Sequence, residues 1–345
     1  MTAKNPANEK QHYVPEVVLT LFAEAAGKER LCVFDKHSGR AFPGPTAVQK
    51  LCKESGFYTA DAAHGSVSIE SAFHELENEY RKIAGKVIAA RSLAVLSAQE
   101  RGTLVGFVCV QYLRVPRLRI GFAQMTKVIA DKVRALAPEA PNLGEFELGD
   151  NEIRLQHLEF IARGAVEGTN ILSEYVWFLI EPEAGRGLWI SDCPVVMHND
   201  EKSIYAGLGF ASPGVQIYFP LTPKLLLACW HPVVAGQFLQ QRDSARKHLG
   251  QMKGQYTLGL NGNKAALAVE IDAMEETLKP IEHIINAFET GGSAMASADN
   301  VRHFNALQFQ WSHRFILCTE GAFDEAAHLL KEHPHLKTGI AMGGD

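Results

Sequence analysis

The stretch that most constrains the fold is Leu104–Leu113. Wound as a helix, it is apolar on nearly every side, so other elements must surround it. Ser97 and Glu100 form an S-x-x-E capping box that starts this helix. Pro116 ends or kinks it after Val115. Gln111 and Arg114, spaced i and i+3, share a face with Leu104, Phe107 and Val108. A buried guanidinium without a partner is very costly. Arg114 therefore needs a structural carboxylate, with Asp192 or Asp35 the candidates, or an anionic substrate. Arg117 and Arg119 are expected at the surface.

The rest of the chain divides by hydrophobic period. Residues 1–10 are polar and read as a disordered tail. Gln11-His12-Tyr13-Val14-Pro15 then leads into an apolar run through Leu19 to Phe22. Leu31–Phe34 and Arg40–Phe42, around a turn carrying Gly39, read as a β-hairpin. Val48–Cys52 reads as a short helix, and Phe57-Tyr58 as an anchoring aromatic pair. From Val67 to Ile88 the residues Ile69, Phe73, Leu76, Tyr80, Ile83 and Val87 recur at helical spacing. Further helices are expected over Phe122–Leu136 and Asn151–Leu172. At Glu174 the period changes. Tyr175–Ile180, Leu188–Ile190, Pro194–Met197, Val215–Phe219 and Leu225–Trp230 read as strands joined by turns, which favours an antiparallel sheet. Residues 200–214 read as a loop over it. The polar stretch 241–263 has no clear assignment. A long helix with a kink at Pro280 runs from Leu267 to Phe288, and a last one carries Val301 to Phe315, before a fraying tail.

The expected fold is therefore α+β and mostly helical, a helical bundle packed with a small antiparallel sheet. Residues 11–318 are expected to form one large domain. Within it, 11–172 is a mainly helical half with an N-terminal hairpin, 173–232 the sheet and 264–318 the C-terminal helices. Residues 319–345 are an extension. The apolar fraction of 46% is ample for a core of this size. A formal charge of −5 excludes the broad basic field of a strong non-specific nucleic-acid binder, though not a local basic patch. Six cysteines without CxxC spacing read as free thiols in a reducing compartment. No apolar run reaches membrane-spanning length. The expectation is a cytoplasmic protein without membrane association.

Several polar residues could carry chemistry. His12 could serve as a general base or metal ligand with Gln11 as its orienting amide, or both could be satisfied polar groups where the chain enters the fold. Asp192, in Ser191-Asp192-Cys193-Pro194-Val195, follows a strand. It could point into a cleft or bind turn N–H groups. Glu70, His74, Glu77 and Arg81 share one helical face, which could bind a divalent metal or form a solvated salt-bridged surface. The chain has no G-x-x-x-x-G-K-[ST], no G-x-G-x-x-G after a strand, no G-x-S-x-G and no H-E-x-x-H. P-loop NTPases, typical Rossmann enzymes, serine α/β-hydrolases and zincins are thereby disfavoured.

In order along the chain, these pieces resemble a bacterial family known as a domain of unknown function. Gln11-His12-Tyr13-Val14-Pro15 with Leu19 and Phe22 resembles its QHYVP-x3-L-x2-F motif. Val33-Phe34-Asp35-Lys36 with Gly39 resembles its hairpin. Phe57-Tyr58 and Ile69-Glu70 are similar to two further elements. Gln111, Arg114 and Pro116 resemble its Q-x2-R-x-P helix. Ser191–Val195 resembles SDxPV, with Cys193 in place of the usual Asn, and Pro220-Leu221-Thr222-Pro223 resembles PLxP. Asn305 completes the set. The resemblance spans most of residues 11–318. It implies a shared fold and groups Gln11, His12, Asp35, Glu70, Gln111, Arg114 and Asp192.

Two functions follow from these residues. In the first, the chain is a phosphodiester hydrolase, nuclease-like, and a candidate toxin or phage-defence effector. His12, Gln11, Asp192, Arg114 and Gln111 would form a composite site. Glu70, Asp192 and His12 would hold a divalent metal ion, and the ligand would be a nucleotide or nucleic acid. In the second, the chain is a non-catalytic scaffold or ligand sensor, and the same residues form a buried network. An oligomer is compatible with either. The discriminating observation is whether His12 and Asp192 line one concave pocket.

Overall fold

A computed structural model describes residues 9–63, 65–136, 148–183, 185, 187–200, 209–259 and 263–338. Of the expected N-terminal tail, residues 1–8 lie outside the described residues, and so do residues 201–208 of the expected loop over the sheet. The fold is α+β and mostly helical.

The N-terminal part is a set of short pairings around one helix. β1 (Lys10–His12) precedes α1 (Glu16–Glu24), whose Val18, Leu19 and Phe22 are buried. β2 (Arg30–Asp35) pairs antiparallel with β3 (Arg40–Ala41) and β4 (Thr46–Ala47), so the expected hairpin forms. The short helix expected near Val48 is a 3-10 turn over Val48–Lys50. β5 (Lys53–Ser55) returns to pair with β1. β6 (Thr59–Ala62) pairs with β7 (Gly65–Ser68). Val67 thus belongs to a strand and is exposed, and the next helix starts later than its period suggested.

Four helices follow: α2 (Glu70–Ala90), α3 (Ala98–Leu113), α4 (Pro116–Leu136) and α5 (Asp150–Ser173). Ser97 caps α3 through the expected box: its Oγ accepts from Glu100 N–H and Glu100 Oε2 accepts from Ser97 N–H. Pro116 does not merely stop α3. It opens α4, where its missing N–H costs nothing. From Leu104 on, α3 is buried almost all round, with Tyr80 of α2 stacked on Phe107 at 3.6 Å. α5 approaches α3 closely at Gly168, where a Cβ would meet Cys109 Sγ at 2.5 Å.

The strand half is built on β8 (Val176–Pro182), β9 (Ile190–Ser191), β10 (Val196–Asn199), β11 (Val215–Thr222) and β12 (Leu225–Trp230). α6 (Pro232–Leu258) and α7 (Lys264–Thr290) then pack on each other through Leu249, Met252, Leu267, Ile271 and Leu278. The polar stretch without an assignment is thus mostly helix α6. Gly291, at φ 68°, stops α7 in the left-handed region. β13 (Ser293–Ala296) follows and adds a parallel strand beside β8, giving the order β10-β11-β12-β8-β13. α8 (Ala298–Trp311) ends before Ser312. Phe315, expected in that helix, instead begins β14 (Phe315–Cys318). β14 lies between β2 and β9, joining the two ends of the chain in a second sheet. The C-terminal extension contains α9 (Asp324–Glu332), anchored by buried Ala326. Of the tail expected to fray around His333 to Gly344, Pro334–Thr338 forms a 3-10 turn, and residues 339–345 lie outside the described residues.

Overpacking the α3–α5 contact should be costly. Gly168→Ala is expected to lower unfolding stability by about 1–3 kcal/mol in urea denaturation. Gly102→Ala, on an open part of α3 with nothing within 4 Å, should leave stability unchanged or raise it slightly.

Candidate functional site

The amide of Gln11 is fully enclosed. Its Oε1 accepts from the backbone N–H of Tyr58, and its Nε2 donates to Thr59 Oγ1 at 3.3 Å. Gln111 reaches the same segment, donating to Tyr13 O at 3.1 Å. Arg114, at the end of α3, is 1% exposed. Its partner is neither Asp192 nor Asp35 but Glu77 of α2, at 2.7 Å, and its guanidinium also lies 4.8 Å from the Phe73 ring. His12 stands close enough for the Glu77 charge to act on it. Burial, then Lys53, lowers its pKa. Glu70 starts α2, where burial raises its carboxyl against the nearby Arg114 charge. Four buried atoms of this cluster have no partner among the described residues: His12 Nε2, Glu70 Oε2, Gln111 Oε1 and Arg114 Nε.

A second cluster surrounds Asp192. Its carboxylate is wholly enclosed and accepts three backbone N–H groups, from His313 at 2.8 Å, Arg314 at 2.7 Å and Phe315 at 2.9 Å. Burial raises the Asp192 carboxyl, and those donors act against it. Lys36, also fully buried, donates to Phe309 O at 2.8 Å and Ser312 O at 2.9 Å. Burial pushes its ammonium down to about 8. Asp35 holds Arg314 bidentately at 3.1 and 2.8 Å. Burial alone would raise the Asp35 carboxyl, but Arg314 and the His37 and Ser38 backbone outweigh it and hold it low.

The residues expected to form one composite site therefore occupy two clusters. Gln11, His12, Gln111, Arg114 and Glu70 gather around Tyr58 and the start of α2. Asp192 lies with Lys36 and the α8–β14 loop instead. Tyr13 stands between them, its carbonyl bound by Gln111 and its buried phenol in the field of Asp192. No described cavity is lined by both His12 and Asp192. Among the described residues no group of three or more His, Cys, Asp or Glu side chains is placed to hold a metal ion, so Glu70, Asp192 and His12 do not converge as a ligand set. The reason is local: the Asp192 oxygens are taken up by backbone donors, the turn-binding alternative for such a residue.

Beside Tyr13, and bordered by His313 and Arg314 of the second cluster, is a cleft of about 480 Å³. Four cationic side chains line it: Lys53 of β5, Arg119 of α4, Arg154 of α5 and Arg314. Two carboxylates accompany them, Glu54 and Asp150. Glu54 is divided between Arg119 at 3.7 Å and Arg154 at 3.8 Å. Arg119, expected at the surface, is instead mostly buried, its guanidinium 3.6 Å from the Phe57 ring centroid and donating to Phe57 O. Arg117, also expected outside, donates to Gln310 O and Trp311 O. His313 completes the wall, its pKa lowered by burial despite Asp192. Sequence reasoning missed His313 and Arg314 because the helical period ran through them to Phe315. A polar pair interrupting an aromatic helix pattern was the available signal.

A family profile described as protein of unknown function (DUF4238) matches residues 10–321. The chain belongs to the DUF4238 family. No curated protein and no solved structure matches the chain. The family match runs from β1 to just beyond β14, so it takes in both polar clusters and the cleft of this DUF4238 chain.

His157 lies beneath the cleft. Its Nε2 faces Leu113 O at 2.9 Å and its Nδ1 accepts from Arg119 Nε at 3.5 Å, an arrangement that needs the neutral ring. Burial, with Arg119 adding to it, lowers its pKa from 6.5 to about 4. The unfolded chain then binds this proton more readily, so stability is present above pH 6.5 and is lost as pH falls towards 4. The loss should be about 3 kcal/mol from this residue. Chemical denaturation of wild type and His157→Gln across that range should show a smaller loss in the variant, where His12 and His313, also lowered by burial, still titrate.

Proposed function

We propose that the chain binds a phosphate-bearing ligand, a nucleotide or short single-stranded oligonucleotide, in the cleft beside Tyr13. The observation that carries this reading is the excess of cations there, on a chain whose formal net charge is −5. Glu54 cannot neutralise two guanidiniums at once, and a phosphate can accept the N–H donors left over. Positive residues facing a low-dielectric wall attract anions more strongly than the same charges spread over the surface.

The reaction we propose is phosphodiester hydrolysis. His313, kept neutral by burial, takes a proton from an attacking water. The water oxygen bonds to phosphorus as the bond to the leaving oxygen breaks, and that oxygen is protonated from solvent. Arg119, Arg154 and Arg314 offset the charge that develops on the phosphoryl oxygens. Asp192 is a positioning residue in this scheme, because it holds the backbone from which His313 and Arg314 project. Gln111 plays the same part for Tyr13, and Gln11 for the Tyr58–Thr59 backbone beside Phe57. His12 does not line the cleft and has no step in the scheme. A toxin or phage-defence role belongs to this proposal as its biological setting.

A second reading has its own support. Gln11, Asp192 and Lys36 are closed and hydrogen-bonded, as a ligand sensor without turnover would require. Fluorescence anisotropy with a labelled short oligonucleotide at low salt tests the shared claim. Arg154→Ala should weaken binding at least about tenfold, or 1.4 kcal/mol, and added salt should weaken wild-type binding. His313→Ala should bind normally and lose cleavage under the hydrolase reading. A wild type that binds without cleaving supports the sensor, and an Arg154→Ala variant that binds as wild type rejects both.

A further inference from the structure

We infer that a separate cavity, over the sheet that contains β8, binds a small organic cation, an amine with an aromatic or alkyl body. The cavity is about 340 Å³ and shares no lining residue with the cationic cleft. Its floor is one face of the sheet β10-β11-β12-β8-β13, and α6, α7 and α8 wall it. Side chains two apart on a strand share a face, which brings Gln216 beside Tyr218, and Asp200, just past the end of β10, turns back onto His198. Register places His198 opposite Gln216, and Gln216 opposite Trp230, so the polar groups run across three strands.

These groups form a directed chain. Trp230 Nε1 donates to the Tyr218 hydroxyl at 3.2 Å, and that hydroxyl donates to Gln216 Oε1 at 2.5 Å. Gln216 Nε2 donates to Asp200 Oδ2 at 3.0 Å, and His198 Nε2 lies 2.8 Å from Oδ1. Every link orients donors towards the Asp200 carboxylate. His198 first, with Gln216 in support, holds its pKa low, so it is ionised at neutral pH. The carboxylate stands at the cavity mouth, its side chain 77% exposed, with lone pairs to spare. His303 lies against His198, ring centroids 4.8 Å apart, and burial followed by the His198 charge lowers its pKa.

Behind this mouth the wall is aromatic. Trp230 contacts Phe178 and Phe238 at ring-centroid distances of 4.8 and 5.0 Å, and Phe304 contacts Tyr218 at 4.8 Å. Among the described lining residues there is no Lys or Arg, and Asp200 is the single carboxylate. An anionic ligand would meet the Asp200 carboxylate, which already engages His198, with no Lys or Arg to offset it. A cation would meet the carboxylate at the mouth and the negative ring faces within. The volume admits one small molecule and no polymer. This inference stands whether or not the phosphate reading holds, because it uses none of the same residues.

Isothermal titration of the full chain at pH 7.5 with three isosteric probes tests it: phenethylamine, 2-phenylethanol and phenylacetate. The amine is expected to bind at least tenfold more tightly than the alcohol, and phenylacetate not to bind. Asp200→Asn, a change at an exposed site, should remove the amine's advantage and leave alcohol binding unchanged. Phe238→Ala should weaken amine and alcohol together. Equal binding of amine and alcohol by wild type would overturn the proposal, as would absence of amine binding or an amine affinity unchanged in Asp200→Asn.

Discussion

The grip of Asp192 on three successive backbone N–H groups is the interaction on which the site depends. It joins the turn after β9 to the segment between α8 and β14, parts of the chain more than a hundred residues apart in sequence. A carboxylate with no exposure must be balanced, and here backbone donors and the nearby Lys36 do it. Lys36 in turn ties the end of α8 to β2, and Asp35 beside it clamps Arg314. Removing the Asp192 charge would leave three buried N–H groups competing for weaker acceptors. The consequence for function is indirect: the loop that carries His313 and Arg314 takes its shape from a residue that does not line the cleft.

Two features of opposite electrostatic character result. The cleft beside Tyr13 gathers cations from β5, α4, α5 and the α8–β14 loop, elements spread from residue 53 to residue 314. The cavity over the sheet gathers aromatic rings and one carboxylate. Neither depends on the overall charge of the chain. A modest net charge of −5 conceals a local excess of each sign, because folding sorts side chains by position rather than by sequence neighbourhood.

Much of the architecture was legible from period and punctuation. The capping box at Ser97, the buried all-apolar turn of α3 and the strands at Val215 and Leu225 follow from side-chain spacing alone. Other parts were not. α6 carries Gly250 and Gly254 and buries few residues, so its helix is held by α7 rather than by its own pattern. β13 is four small or flexible residues whose strand state comes from pairing with β8. Arg119 reads as a surface residue until Phe57 and His157 are placed against it. The partner of Arg114 was equally illegible, since Glu77 shared a face with other charges and nothing local singled it out. The role of Asp192 as a backbone anchor was one of two local readings, and only the position of β14 decides between them.

The cationic cleft is where we propose that this chain takes its phosphate-bearing ligand. A crystal structure of the full chain with a short oligonucleotide bound tests it most directly. A phosphate group is expected within hydrogen-bonding distance of Arg154 and Arg314, beside His313, with the Asp192 contacts unchanged. A phosphate seated elsewhere on the surface, with this cleft holding only water, would contradict it.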